Sequence, residues 1–255
     1  MTIAQYVFGS GVGWCTPLTD FQGNAISPAV PFLIAGMQDV SLDLSADLKM
    51  LYGSQAFPIA IGRGKQKFDV KIKNAQVTAR IWNSIFFGQN LSAGVYDTVF
   101  DQTGSVIPAT PFQITPTVPL SGTIGYNLGV RDTNNLPYGR VASGPTTGQY
   151  SYAAGVYTFA TADVGKTVYI DYNYTATSTV AQNLPIKNPV MGQAPTFQFD
   201  MTIPYNGNKL NLTLYSCVAT KMGIGTKLDD FTLPEFDFSA QAPGGANIGM
   251  MSWSQ

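Results

Sequence analysis

The chain contains no histidine and only two cysteines, and the first six residues have neither the basic start nor the apolar run of a signal peptide. Without histidine, no Ser-His-Asp or Cys-His catalytic arrangement can form, and the commonest metal ligand is missing. Cys15 and Cys217 are far apart in sequence, so we expect buried thiols rather than a disulfide. There is also no polybasic tract of the kind that binds nucleic-acid phosphates. We predict no enzymatic activity, no cofactor and no metal site.

Charge is scarce as well. Charged residues make up 11% of the chain, hydrophobic residues 45%, and the net charge is −1, whereas about 25% charged residues is usual in soluble proteins. The apolar runs are too short to cross a membrane, and we predict no membrane partner. A lone monomer with so little charge would associate readily. Either other copies cover much of the surface, or the chain is a secreted or adhesin-like β-protein whose surface is rich in Thr, Ser, Asn and Gln.

What is present is β-periodicity. Residues 39 to 50 alternate polar and apolar side chains without a break, and residues 65 to 73 repeat the pattern. A period of two predicts long strands with one face in a core and the other in water. Antiparallel pairing would place the acids of the first strand beside the lysines of the second. The intervening residues 51 to 64 contain glycine and proline, and we predict an extended loop. The apolar face would consist of Val40, Leu42, Leu44, Ala46, Leu48, Met50, Phe68, Val70 and Ile72.

A helix is predicted over residues 75 to 87, with Asn74 as N-cap and Gly88 just beyond its end. Its apolar rows are Val77, Ile81 and Ile85, and next to them Thr78, Trp82 and Phe86. It is either a core helix alone, or one whose Trp82, Phe86 and Phe87 also contact another subunit.

Two further segments are rich in glycine and proline, and their predictions follow from that content. Residues 1 to 36 have little periodicity and predict an arm that wraps either its own chain or a neighbour, with Trp14 as a contact residue. Residues 96 to 180 contain short strand candidates between turns, which predict a small inserted β-sandwich or part of one larger sandwich.

A second long hairpin is predicted over residues 196 to 218, turning at Asn206-Gly207. Two half-polar hairpins can close into a large ring only by pairing their edges with copies of themselves. Residues 231 to 238 add an apolar segment, and we expect Trp253 to be packed.

Several motifs then resemble the tail tube (major tail) proteins of tailed bacteriophages. They are LYG at 51–53, FP at 57–58, GRGK at 62–65, IFFG at 85–88, MGQAPTF at 191–197 and TKLDDFTLPEFDF at 226–238. Within the insert, GQYS at 148–151, GVYTF at 155–159, AD at 162–163 and YNYT at 172–175 are similar to the immunoglobulin-like (Ig-like) module that some of these proteins carry.

The resemblance implies a mainly β fold: a tail-tube β-sandwich or barrel subunit with one short α-helix, divided into residues 1–95 and 181–255, with an inserted Ig-like domain at 96–180. It implies a structural virion protein made in the host cytoplasm, whose hexameric rings stack into the tube that delivers the genome. Its partners would be copies of itself and the tape measure, tail terminator and distal tail proteins, with double-stranded DNA passing through the lumen. The alternative function is a carbohydrate-binding or adhesin-type β-sandwich.

The resemblance also suggests roles for particular residues. The loop contacting the next ring would include Tyr52, Gln55, Phe57, Pro58, Ile59 and Arg63. Subunit contacts would involve Trp14, Trp82, Phe86, Phe87 and Trp253. The lumen would be lined by Asp39, Ser41, Asp43, Ser45, Asp47, Lys67, Asp69, Lys71, Gln198 and Asp200. Since the first hairpin also carries Lys49, Lys65 and Lys73, its polar face is not acidic alone; either ion pairing cancels the charge or some lysines lie beyond the lumen.

Overall fold

The structure is a computed structural model, and it describes residues 9–76, 78–245 and 247–254. The prediction of a mainly β protein is confirmed. The chain divides into two compact units. Unit 2 is Leu91–Asn183, and unit 1 is the chain up to Asn90 and from Leu184 onward.

The described helices and strands follow one another along the chain. The helix α1 (Ala79–Trp82) continues into a π-helical turn, Asn83–Phe87, and short 3-10 turns occur at Pro119–Ser121, Thr161–Asp163 and Pro243–Gly245. The strands are β1 (Val12–Pro17), β2 (Phe32–Ile34), β3 (Met37–Tyr52), β4 (Pro58–Asn74), β5 (Ser92–Ala93), β6 (Val95–Val99), β7 (Ser105–Val106), β8 (Gln113–Ile114), β9 (Thr123–Arg131), β10 (Gly139–Val141), β11 (Gln149–Ala153), β12 (Val156–Phe159), β13 (Thr167–Ala176), β14 (Gln182–Asn183), β15 (Thr196–Tyr205), β16 (Asn208–Gly223), β17 (Glu235–Ala240) and β18 (Gly249–Ser254).

Unit 1 is built on one sheet with the strand order β2-β1-β15-β16-β17-β4-β3, and β18 pairs with β16 beside this path. All of these pairings are antiparallel. Alternate residues of each strand point to opposite faces, so the sheet has one apolar and one polar face. The apolar face forms the core, and Ile81 and Ile85 of the helical segment pack on it. The aromatic centre of this core comprises Phe197, Phe199, Phe236 and Phe238.

The first hairpin is longer than the sequence predicted. β3 has 16 residues and β4 has 17, and they stay paired as far as Tyr52 and Pro58. The predicted loop over residues 51 to 64 is therefore wrong for most of its length, since only residues 53 to 57 lie outside the strands. The predicted burial is confirmed for Phe68, Val70 and Ile72. It is wrong for Leu44, Leu48 and Met50, which are exposed because the core ends near Leu42.

The second hairpin confirms its prediction. β15 and β16 pair from Tyr205↔Asn208 to Thr196↔Val218. Asn206 and Gly207 form the turn with φ of 48° and 85°, the left-handed region that asparagine and glycine tolerate best.

The helix begins later than predicted. The N-cap is Thr78, whose hydroxyl accepts a hydrogen bond from the Ile81 amide. Asn74 instead ends β4, and the Ala75 amide donates to the Gly36 carbonyl, which holds this stretch to the sheet. Gly88 ends the segment in the left-handed conformation, as predicted. Val77 lies outside the described residues.

Of the two possibilities for the arm, the structure shows wrapping on the same chain for the parts in strands. β1 pairs with β15, and β2 pairs with β1. Cys15 and Ile34 are buried in the core. The first eight residues lie outside the described part of the chain.

Unit 2 contains, besides the short pair β5–β14 near its two ends, a small sandwich of two sheets. One has the order β10-β11-β12-β8, and in the other β13 pairs with β6, β7 and β9. Their shared core is aromatic and includes Tyr150, Tyr157, Phe159 and Tyr172. One end is fixed by Asp101, whose carboxylate accepts hydrogen bonds from the backbone amides of Thr103, Gly104 and Ile170. Burial works to raise the pKa of Asp101, but these bonds outweigh it and the net shift is downward.

Both cysteines are free and buried, as predicted. Burial raises the pKa of the Cys217 thiol to about 12, so the thiol is protonated and unreactive at neutral pH. In the described residues, no helix is both long enough and apolar enough to cross a bilayer.

Candidate assembly surface

The polar face of the unit 1 sheet collects the residues that the sequence suggested for a channel wall. Directly paired residues of antiparallel strands point to the same side. Ser41↔Lys71 and Ser45↔Lys67 therefore share one face. Asp39, Asp43 and Asp69 lie on this face too, and Asp47 follows on β3 beside a β-bulge between Ala46 and Leu48.

The second hairpin continues the same face, although it is not adjacent to the first. Asp200 pairs with Thr213 and accepts a hydrogen bond from its hydroxyl at 2.7 Å. Gln198 donates to the other carboxylate oxygen of Asp200 at 2.8 Å. Trp14 pairs with Asp200 from β1 and is 47% exposed, so an aromatic ring interrupts the polar surface near its margin.

Between the two hairpins lies β17, which the sequence analysis did not place. Asp237 pairs with Lys71 on one side and Lys221 on the other, and Glu235 pairs with Lys73. Lys221 also forms an ion pair with Glu235 at 3.2 Å. The signal was available in the alternation of Phe236 and Phe238 with acidic residues, but periodicity does not identify a strand's neighbours.

Charges on this face are mixed rather than of one sign. Lys73 lies 3.5 Å from Asp39, and the acids of β17 stand among the lysines of β4 and β16. Asp43 is paired with Asp69, a like-charge arrangement that costs stability unless a partner intervenes. The hydroxyl of Ser239 donates to Asp69 and supplies part of that compensation. The face is therefore polar and close to neutral.

The outer edge of β3 has no pairing partner within the described residues. β17 pairs with β4 only over residues 69 to 73, so residues 58 to 68 of β4 have an unpaired edge in the described chain as well. Unpaired strand edges are templates for pairing with another chain. The half of the first hairpin nearest its tip, residues 44 to 52 and 58 to 68, thus exposes two edges. We call it the far half.

This far half also exposes apolar side chains. Leu44 is 66% exposed, Leu48 57% and Ile59 72%. Phe57, at the tip, is 85% exposed, and Tyr52 is also exposed. Gln55, Pro58 and Arg63 complete the tip residues suggested by the sequence; Gln55 is in the turn, and Pro58 and Arg63 are in β4. Large apolar side chains exposed together on one segment mark an interaction site.

The remaining suggested contact residues lie in three different settings. Trp82 is partly buried and packs edge-on against Phe236, with ring centroids 6.4 Å apart, so it belongs to the core. Phe86 is exposed and Phe87 half-buried, and both line a groove of about 320 Å³ with Pro189 and Pro195. Trp253 is 61% exposed on β18, so the expectation that it is packed is wrong.

Within the described residues, no group of histidine, cysteine or acidic side chains is arranged to hold a metal ion. The chemistry of the surface is that of hydrogen bonding, ion pairing and apolar contact.

No protein-family model matches the chain, and no curated protein is significantly similar to it.

Proposed function

We propose that this protein is a structural subunit that pairs its strand edges with those of identical copies, forming hexameric rings that stack into the hollow tube of a phage tail. The observation that carries the proposal is the far half of the first hairpin, with its unpaired edges and exposed leucines. Natural proteins protect such edges with charge, proline or short strands. Here a strand of 16 residues ends the sheet, and although its polar row is charged, its apolar row leaves Leu44 and Leu48 exposed.

Ring formation would satisfy both features at once. Pairing of β3 with a neighbouring copy supplies hydrogen-bond partners to its outer backbone groups. It also covers Leu44 and Leu48, and burial of a leucine contributes roughly 1.5–3 kcal/mol. Because the two edges joined in a ring are different, the interface is heterologous and closes by rotation. The low charge content of the chain agrees with a subunit largely covered by its neighbours.

The polar face of the sheet would then form the channel wall. Duplex DNA carries one negative charge per about 1.7 Å, and a wall of uncompensated lysines would retain it. In this sheet the lysines of β4 and β16 stand beside Glu235 and Asp237. Such a wall lets double-stranded DNA pass without sequence-specific binding. The protein would reside in the virion tail, in contact with the tape measure, tail terminator and distal tail proteins.

The hairpin tip would join one ring to the next. Phe57 is the most exposed large apolar side chain of the tip, and a ring-to-ring contact would cover it. Phe57→Ser is expected to leave rings intact and to prevent their stacking. Long tubes formed by this variant would refute the role of the tip.

The test of the proposal is direct. Purified protein is concentrated stepwise and followed by sedimentation and by negative-stain electron microscopy. Rings and hollow tubes of uniform width are expected. A protein that stays monomeric at every concentration and ionic strength, and does not extend preformed tubes of its own kind, would contradict the proposal.

A second candidate is carbohydrate binding by unit 2. Tyr96 and Tyr126 are both about half exposed on one sheet face. Exposed aromatic faces can stack on sugar rings. Glycan-array binding that is lost in Tyr96→Ala and Tyr126→Ala, from a protein that never assembles, would favour this function.

A further inference from the structure

The strand β18 occupies an edge of the second hairpin without being part of the core. It pairs with residues 209 to 214 of β16, from Lys209↔Ser254 to Leu214↔Gly249. β17 pairs with the same edge of β16 farther along, from residue 217 onward. Among the described residues, β18 pairs with β16 and with no other strand.

Side-chain burial distinguishes β18 from the other strand that flanks this hairpin. In β1 every second residue is buried, including Cys15 in the core. In β18, by contrast, Met250 is 63% exposed and Met251 38%. β18 is therefore held mainly by backbone hydrogen bonds, and such segments lie at the low end of local stability.

A ring made by edge pairing requires two different edges on each copy. β3 provides one. At the opposite end of the sheet, β2 has three residues and is too short to match the 16 residues of β3. Residues 58 to 68 of β4 form a further open edge, but on the same hairpin as β3. The long edge of the second hairpin is that of β16, and β18 covers it. A ring that joins the first hairpin of one copy to the second hairpin of the next therefore uses the β16 edge.

We propose that β18 is a displaceable cap, which protects this edge of β16 in the free chain and gives way to a strand of a second copy during assembly. The incoming strand is the open β3 of that copy. This inference rests on the proposed self-assembly. In the free chain β18 supplies backbone partners to residues 209 to 214 of β16, which would otherwise be an open edge.

A reversible disulfide between β16 and β18, called the lock below, tests the cap in the full chain. Asn211 and Ser252 are register partners on β16 and β18, so Asn211→Cys/Ser252→Cys can join the strands by a disulfide. Ser151 and Thr158 are register partners on β11 and β12 of unit 2, a pairing that stays in place, and Ser151→Cys/Thr158→Cys is the matched control. The native cysteines are fully buried and do not compete.

The oxidised lock is expected to abolish ring and tube formation, with full recovery when the disulfide is reduced, while the control pair assembles in both states. Circular dichroism of the oxidised lock, compared with the reduced protein, checks that the locked chain is folded. Equal assembly of the oxidised and reduced lock would overturn the cap while leaving the proposed function standing. If neither the reduced lock nor the unmodified protein ever assembles, both proposals fail.

A second variant acts in the opposite direction. A Cβ at Gly249 would meet the Thr213 carbonyl oxygen at 2.2 Å, so Gly249→Ala weakens the docking of β18. Assembly is expected to begin at lower protein concentration and after a shorter lag. Gly225 has open space around its Cβ position, and Gly225→Ala is the control. An unchanged or higher assembly threshold for Gly249→Ala, with the control unaffected, would count against the cap.

Discussion

Replacing Leu44 and Leu48 together by serine isolates the contribution of exposed apolar surface to assembly. The two side chains are 66% and 57% exposed in the free chain. Full burial of a leucine contributes roughly 1.5–3 kcal/mol, so covering the exposed part of each should contribute about 1–2 kcal/mol. Loss of both then weakens one subunit contact by about 2–4 kcal/mol, or roughly 30- to 1000-fold in the association constant. Free-chain stability should change by no more than about 1 kcal/mol.

Unit 2 provides the matched control, since Leu120 is 66% exposed and Leu136 61%. Leu44→Ser/Leu48→Ser and Leu120→Ser/Leu136→Ser remove the same atoms at equal exposure. The assay is the protein concentration at which light scattering and sedimentation first show polymer, with urea unfolding as the measure of stability. The threshold should rise only for the first pair. Equal thresholds for both pairs would refute the reasoning.

Three further predictions concern the fold. Phe238→Ala in the unit 1 core should lower the free energy of unfolding by about 3–5 kcal/mol, and a loss under 1 kcal/mol in urea titration would contradict the described core. Gly88→Ala should destabilise unit 1, because Gly88 has a φ of 57° and its Cβ would lie 2.7 Å from the Phe21 amide nitrogen; thermal unfolding measures the shift, and an unchanged midpoint would exclude that contact. The folded-state pKa of Asp101 is lowered, so its stabilisation is present above the unfolded pKa of about 3.9 and is lost as pH falls through the folded value. Asp101→Asn should therefore flatten the acid limb of the urea-unfolding profile below about pH 4, and an equally steep limb would refute this.

Local patterns in the sequence determined much of the sheet. The alternation over residues 39 to 50 predicts β3, and Asn206-Gly207 predicts the turn between β15 and β16, because both depend on a few neighbouring residues. The same period of two places the apolar side chains of each strand on one face of the sheet. These elements needed no information about distant parts of the chain.

The misplaced features depend on contacts between distant residues. β17 enters the sheet between the two hairpins through pairing with β4 and β16, and its own alternation does not identify those partners. The helix start moved to Ala79 because Ala75 is bonded to the carbonyl of Gly36. The apolar row of β3 predicts a buried face, yet the core of this chain extends only to Leu42. The remainder of that row, like Trp253, is exposed in the described chain.

The most direct test of the account is electron cryo-microscopy of the polymer at a resolution that separates strands. The account predicts a hollow tube in which the outer edge of β3 is hydrogen-bonded to a strand of an adjacent copy, with Asp39, Lys71 and Asp200 facing the bore. A particle in which that edge of β3 faces solvent, or in which the polar face is turned away from any channel, would contradict it.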